Sequence, residues 1–373
     1  MNKVAVIHYM PLEYYPPVTN FLCCLVANPV RVKVWSTENQ KSRNVFQHQQ
    51  IESINRSPLP NLEESSLMRL LKYVIFNFQA LFGLIKFRPD SIVYFESYSV
   101  FPVFIYQFFF KNKAAIYIHY HEYESPADYE KGMRLVRFYH HLEKKNIYPK
   151  AKWISQTNAD RQRFFKMDHP LLNDNQLFVM PNFPPQNWYN PKIESERNFE
   201  KSINTVYVGA LSLKDTYIEE YCEWVILQNG RITFDIYSYN LHLDTFEYLK
   251  RLRSPFINFY DEGIDYESLP VTLSNYSIGL ILYKGSTPNY VYNAPNKLFE
   301  YLACGLRVVF PDVMKGIYPY ASEIVKPIEF TKIPSISFFL ELDREPFFFQ
   351  EKYSAERATA QLVSKLTNHM KYN

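Results

Sequence analysis

Lys297 and Glu300 lie three residues apart in NAPNKLFEYLACGLRVVF, residues 293–310. Pro295 suits a first helical turn and Gly305 the residue just past a helix end, so the stretch predicts a helix of two to three turns. Residues i and i+3 share a helix face. The free N–H groups and positive dipole end of a helix start attract anions, and Lys297 adds a point charge there. An ionised Glu300 one turn deeper is acceptor-only, with two oxygens for adjacent hydroxyls. Such a pair suits the phosphate and ribose of a nucleotide. The bland alternative is a solvated ion pair worth about a few tenths of a kcal/mol.

A second constellation sits in AAIYIHYHEYESPADY, residues 114–129. A buried strand over 114–119 runs into polar residues at its carboxyl end, where ligands of parallel sheets bind. His119 and His121 share a face if the backbone stays extended. Histidine is a common metal ligand, but no Cys/His cluster at metal spacing accompanies this pair, and no metal is expected. A histidine simply hydrogen-bonded under the loop is a further reading.

The elements that must position these residues follow from short apolar runs bounded by turns. Strands are expected at 4–9, 30–35, 91–95, 114–119, 152–156 and 177–180, with helices such as 66–87 and 126–146 between them. The second half repeats the style, with strands at 204–208, 232–237, 258–260, 277–282 and 307–310. Alternating strands and helices argue for parallel sheets with crossovers. The Pro-, Asn- and charge-rich segment 182–202 is the expected linker, and a helix over about 354–371 ends the chain. The fold class expected is therefore α/β, with two Rossmann-like domains facing across a cleft: an N-terminal domain over 1–190 and a C-terminal domain over 200–350.

The nine glycines form neither GxGxxG nor a P-loop, which argues against a nicotinamide oxidoreductase or P-loop NTPase. No Asp-x-Asp pair occurs, so the carboxylate clamp of a metal-bound nucleotide sugar is absent. Four cysteines, two of them the neighbours Cys23 and Cys24, are too few for a disulfide framework and suggest a reducing, cytoplasmic setting. The aromatic stretch 98–110 is shorter than a membrane-spanning helix requires, and no transmembrane segment is expected.

Residues 1–192 carry 23 Lys+Arg against 15 Asp+Glu, whereas 193–373 carry 18 against 23. This asymmetry points to peripheral contact between one face and an anionic membrane, with chance and solvation as the alternative. Residues 66–88 carry Arg69, Lys72, Lys86 and Arg88 and no acid, and as a helix could lie on such a surface or serve as a core helix with a basic edge. The run 133–152 is basic and holds aromatics, as nucleic-acid surfaces do, but with pI near 8.4 and no known binding module no nucleic-acid partner is expected.

The stretch Pro295, Lys297, Glu300, Tyr301, Ala303, Gly305, Val308, Val309 resembles the nucleotide-binding signature of glycosyltransferase family 4, retaining enzymes of the GT-B fold. Arg307 replaces a late proline of that pattern. The resemblance implies that Lys297 meets the diphosphate and Glu300 the ribose, with Asn296 beside them. More weakly, VYVGALSLKD (206–215) looks like the first strand and loop of the family's second domain, implying phosphate roles for Gly209 and Lys214. Ala210 stands where the family often has arginine, so neutralisation of the diphosphate is thinner, and Lys284 is either a substitute or a surface lysine. Tyr292 occupies the place of a second family glutamate, leaving Asn289, Tyr290, Tyr292 and Asn293 as donor-sugar candidates.

The family's Asp-x-His-Glu matches at His121 and Glu122, with His119 in the aspartate's place. His121 is thereby implied as a donor-sugar contact that stabilises developing charge, and Glu122 as its orienter or an acceptor contact; a histidine whose pKa lets it be cationic could also steady the departing phosphate. The loop over 8–20, with Pro16 and Pro17 in place of family glycines, is implied to line the acceptor side through Glu13, Tyr14 or Tyr15, beside His119. The family also implies that the final helix, about 354–373, packs back on the N-terminal domain.

The expectation is metal-independent hexosyl transfer, with retention, from a UDP- or GDP-linked sugar to a saccharide or lipid-linked acceptor. No cofactor is expected beyond that nucleotide-sugar substrate. The setting implied is bacterial surface-polysaccharide assembly, in the cytoplasm or on the inner face of the plasma membrane. The alternatives are a nucleotide-sugar epimerase and a catalytically degenerate partner protein.

Overall fold

The computed structural model describes residues 1–38, 44–61, 63–110, 114–189, 202–238, 241–347 and 351–368. The chain divides into two compact units. One is Met1–Asn182 together with the C-terminal helix Ala355–Thr367; the other is Phe183–Ser354. The division falls ahead of position 190 because residues 183–189 pack into the second unit. The Phe183 ring lies 4.4 Å from Phe299, and Trp188 lies 4.6 Å from Tyr266. Residues 190–201 of the expected linker lie outside the described residues.

The first unit is built on β1 (Asn2–Pro11), β2 (Val30–Glu38), β3 (Ser53–Pro58), β4 (Ser91–Phe95), β5 (Ala115–Tyr120), β6 (Trp153–Gln156) and β7 (Leu177–Val179). All pairings are parallel, in the order β3-β2-β1-β4-β5-β6-β7. Near-continuous apolar runs such as VAVI and SIVYF suit strands covered on both faces. One face packs Ile7, Trp35, Tyr94 and Ile118 under the helices Ser66–Phe87 and Val100–Phe109. The other packs Val6, Phe95, Tyr117 and Trp153 under the helix Pro16–Val26 and under Leu362 and Leu366 of the C-terminal helix. The Asn2 side chain donates to the Leu366 carbonyl at 2.9 Å, tying that helix to β1.

The second unit holds β8 (Ile203–Val208), β9 (Ile232–Tyr237), β10 (Ile257–Tyr260), β11 (Ile278–Leu280), β12 (Arg307–Pro311) and β13 (Val325–Ile328). These too are parallel, in the order β10-β9-β8-β11-β12-β13. Each sheet reverses its strand order once, between β1 and β4 and between β8 and β11. Ligands of open α/β sheets bind beyond the carboxyl strand ends at such switch points.

Several details differ from the sequence expectation. The proline pair Pro16-Pro17 opens a helix, because proline is pre-set for the first helical turn. The expected helix 126–146 is broken at Gly132, whose backbone is extended. The pieces Pro126–Lys131 and Arg134–Leu142 are followed by a π-helical turn, Glu143–Ile147. Strands β3 and β13 had no alternating or apolar run long enough to mark them.

Candidate functional site

The helix Asn296–Ala303 starts one residue later than expected, with Pro295 as its extended N-cap. Its Tyr301 ring lies flat against β11 at Gly279, where an added Cβ would come within 2.3 Å of the ring. The Tyr301 hydroxyl accepts from the Val208 N–H at 3.0 Å, fixing the end of β8. The next residue, Gly209, has φ +119, a region that favours glycine.

Into this corner runs Lys297, which is buried. Its Nζ donates to the Tyr207 hydroxyl at 2.7 Å and lies 3.9 Å from the Tyr207 ring centroid and 4.9 Å from that of Tyr283. Tyr207 Oη in turn donates to the Ala210 carbonyl at 2.7 Å. A Cβ added at Gly209 would lie 3.2 Å from Nζ. The i,i+3 ion pair does not form. Glu300 is part-exposed, and its carboxylate makes no hydrogen bond or ion pair with any described residue. Burial pulls the Lys297 ammonium down to about 7 and pushes the Glu300 carboxyl up to about 7, each tempered by the other's charge. The second unit thus offers a cation at a helix start and, one turn on, a carboxylate with both oxygens open.

The remaining residues singled out in this unit differ in their surroundings. Lys214 is exposed on the turn after β8. Lys284 is occupied: its Nζ lies 2.9 Å from Glu220 and donates to the Leu213 carbonyl. Asn289 and Tyr290 lie on the one-turn helix Pro288–Val291, capped by Thr287, with Tyr290 stacked 5.1 Å from Tyr283. That stack connects the predicted donor-sugar loop to the aromatic wall around Lys297. Tyr292 and Asn293 hold their loop through their backbone, which presses on Gly316 so closely that a Cβ there would meet it at 2.5 Å. Arg307, the departure from the family pattern, is buried in β12 and donates to the Glu345 carbonyl.

The first unit gathers a second cluster at its switch point. Parallel register aligns His8 of β1 with Phe95 of β4, Phe95 with His119 of β5, and His119 with Ser155 of β6. His119 is the hydrogen-bonded histidine of the structural reading: its Nδ1 lies 2.8 Å from Ser155 Oγ. His121 stacks on Phe95 at 5.5 Å and lies 4.8 Å from His119 and 6.2 Å from His8. The Tyr15 ring closes the group, 4.6 Å from His8 and 5.7 Å from His121.

The peptide of His121 is gripped from both sides. Its N–H donates to Glu96 Oε1 at 2.6 Å, and its carbonyl accepts from Arg161 Nη1 at 2.7 Å. Glu96 adopts φ 61 and ψ 154, a conformation costly for any residue with a side chain. The neighbouring residues are anchored too. The buried Glu143 carboxylate accepts from Tyr120 at 2.8 Å and from Ser97 at 2.6 Å. Burial pushes Glu143 up to about 7 and Glu96 well above the usual carboxylate range.

Burial also pulls His121 down to about 4. The condition for a cationic His121 at a departing phosphate is therefore not met in this environment, and the neutral imidazole is the favoured form near pH 7. Glu122 is exposed. Glu13 Oε1 accepts from Arg56 at 2.8 Å and from the Phe46 N–H at 2.9 Å, so this residue ties the first turn to β3. Tyr14 is half-buried in the same turn. His8, Glu96 and Arg161 were not singled out from the sequence. His8 had one available signal, a polar residue at the carboxyl end of an apolar strand. Glu96 and Arg161 had none, since their roles depend on where the chain folds back.

No family model matches the sequence, and no curated protein sequence does. Solved structures match along the whole chain. Sucrose-phosphate synthase from Thermosynechococcus elongatus superposes with a TM-score of 0.63 at 14% identity, covering 99% of this chain and 95% of that one. A glycosyltransferase from Rickettsia africae gives 0.62 at 8% identity, covering 99% and 100%. UDP-GlcNAc 2-epimerase from Neisseria meningitidis, bound to UDP-GlcNAc, gives 0.57 at 13% identity, covering 98% and 99%. The fold is GT-B. Both transferases and epimerases share it, so the fold by itself assigns no activity.

Proposed function

We propose that this chain is a glycosyltransferase that takes a hexosyl group from a nucleotide-diphosphate sugar, with retention, and passes it to a saccharide or lipid-linked acceptor in surface-polysaccharide assembly. The observation that carries the reading is Lys297 and Glu300 on one helix start: the lysine buried against Gly209, the carboxylate unpaired. A merely structural pair would meet each other. These two instead leave a cation and an open acceptor about one turn apart, matching a diphosphate and a ribose diol.

In the reaction the anomeric C–O bond to phosphate breaks and one to the acceptor oxygen forms, while the acceptor's proton leaves with the diphosphate. The helix start and Lys297 stabilise the charge that develops on the diphosphate. Among the described residues no three His, Cys, Asp or Glu side chains group as metal ligands, and Lys297 supplies the positive charge in this reading. His121 serves as a neutral, rigidly held hydrogen-bonding group toward the sugar.

The test is a thermal-shift panel of UDP, GDP, CDP and ADP and their sugars on the wild type and Glu300→Ala. One base should raise the melting temperature of the wild type only. No shift by any of them at millimolar concentration overturns the reading in favour of a degenerate partner. The epimerase alternative has the fold of the Neisseria enzyme behind it. Proton NMR of the nucleotide sugar incubated without acceptor separates the two, because only an epimerase converts it to a second nucleotide sugar.

A further inference from the structure

The helix Ser66–Phe87 is apolar on two opposite faces. Tyr73, Phe76, Ala80, Leu84 and Phe87 form the buried stripe. Gly83 lets this stripe sit flush on β2, since a Cβ there would meet the Trp35 ring at 2.3 Å. The other face points to solvent with Leu67, Leu70, Leu71, Val74, Phe78 and Phe82, which are 77%, 53%, 50%, 37%, 53% and 64% exposed. Their spacing of three and four makes a single ridge, about 22 Å long at 1.5 Å per residue. Phe108 and Phe109, at the end of the helix Val100–Phe109, are also two-thirds exposed. Scattered exposed leucines need no explanation, but a continuous ridge of this size marks a docking surface.

Charge decides the partner. The 22-residue helix holds Arg69, Lys72 and Lys86 and no acid, and Arg88 follows as its cap; Lys72 is ion-paired with Glu64 just ahead of the helix, so Lys86 and Arg88 are the cations that flank the ridge. A cavity of about 700 Å³ opens beside its C-terminal half, lined by Lys33, Arg56 and Lys86 with Trp35, Phe78 and Phe82, and no carboxylate lines it. Arg56 is held by Glu13 and Lys33 lies 3.9 Å from Glu52, whereas Lys86 has no carboxylate partner among the described residues. A second copy of the chain laid on this face would set cations against cations. A surface combining acyl chains with phosphates satisfies both the ridge and its basic flanks.

We propose that the solvent face of Ser66–Phe87 is the site at which the first unit lies in the interface of an anionic lipid bilayer, with Leu67, Leu70, Leu71, Val74, Phe78 and Phe82 among the acyl chains and Lys86 and Arg88 at lipid phosphates. This inference rests on the surface alone and stands or falls separately from the sugar-transfer reading.

The experiment is co-sedimentation of the full chain with vesicles of phosphatidylcholine alone and of an equimolar phosphatidylcholine–phosphatidylglycerol mixture. The proteins are the wild type, Leu71→Glu/Phe78→Glu and Lys86→Glu/Arg88→Glu, with circular dichroism to confirm the fold. All four positions are exposed, so the variants should fold as the wild type does. The wild type should bind the mixed vesicles at least tenfold more tightly than the neutral ones, and each double variant should lose at least tenfold on the mixed vesicles. Equal binding to both lipids, or variants that bind like the wild type, overturns the proposal. So does a wild type that ignores vesicles but sediments alone as a dimer that Leu71→Glu/Phe78→Glu dissociates, which assigns the face to a second copy.

Discussion

The Lys297 ammonium donates to Tyr207 Oη at 2.7 Å and lies over that tyrosine's ring, 3.9 Å from its centroid. Tyr207 passes the bond on to the Ala210 carbonyl, so one hydroxyl links the cation of the helix to the loop after β8. The ring and hydroxyl keep the lysine in place before any ligand arrives. Burial nevertheless costs the ammonium, and its pKa falls to about 7.

A pH dependence of donor binding follows. Below about 7 the ammonium is present; above it the free protein holds a neutral amine that must take up a proton to meet an anion. An anionic ligand favours the charged form, so nucleotide-sugar affinity should fall by up to about tenfold per pH unit above 7. Calorimetry between about pH 6.5 and 9 reads this directly, and Lys297→Arg should flatten the profile because guanidinium stays charged throughout. A profile just as steep in the arginine variant assigns the titration to another group.

Gly209 should tolerate no side chain. At φ +119 an alanine is strained by about 1–3 kcal/mol, and its Cβ would press on Lys297 Nζ from 3.2 Å. Gly209→Ala is expected to lower the melting temperature and to weaken nucleotide binding at least tenfold. Thermal unfolding with and without nucleotide measures both. A variant that loses stability but keeps the ligand-induced shift shows that the glycine serves the turn alone.

Much of this was legible in the sequence, and the reason differs from residue to residue. The helix bearing Lys297 and Glu300 could be read because proline before and glycine after mark its ends, and i,i+3 spacing puts both residues on one face. The sheets could be read because strands covered on both faces are short apolar runs. What escaped was whatever depends on the meeting of distant segments. Tyr207 is an ordinary strand tyrosine until Lys297 reaches it from 90 positions away. Glu96 carries no motif, and its contact with His121 exists only because β4 and β5 are neighbours. Lys284 read equally as a phosphate ligand or a surface lysine, and its contact with Glu220 depends on the fold.

Glu96 holds the His121 peptide at the cost of its own backbone. Glu96→Gly removes both the strain and the carboxylate, whereas Glu96→Gln keeps an oxygen for the His121 N–H at 2.6 Å. If the strain serves to place His121, the glycine variant should be less stable than wild type by no more than about 1 kcal/mol yet lose tenfold or more in kcat. The glutamine variant should keep most of its activity. Steady-state kinetics with KM recorded beside kcat distinguishes placement of the histidine from loss of substrate binding. Equal losses in both variants assign the role to the carboxylate's charge.

His8 gives the last prediction. It is fully buried, and neither ring nitrogen has a hydrogen-bond partner among the described residues. Burial, with His121 beside it, pulls its pKa well below 6.5. A folded-state pKa below the unfolded one means that the unfolded chain binds more protons as pH falls through 6.5, so this histidine withdraws stability progressively on acidification. Phenylalanine fits the same aromatic surroundings of Tyr15 and Phe95 without polar atoms to strand or a charge to accept. His8→Phe should therefore be more stable than wild type by about 1 kcal/mol near neutral pH, and the gap should widen toward pH 5. Denaturant unfolding at several pH values measures both differences. A gap that narrows on acidification would mean that His8 is protonated in the folded protein. If the variant is more stable but its transfer activity falls at least tenfold with KM unchanged, the two open nitrogens of His8 are kept for a ligand rather than for the fold.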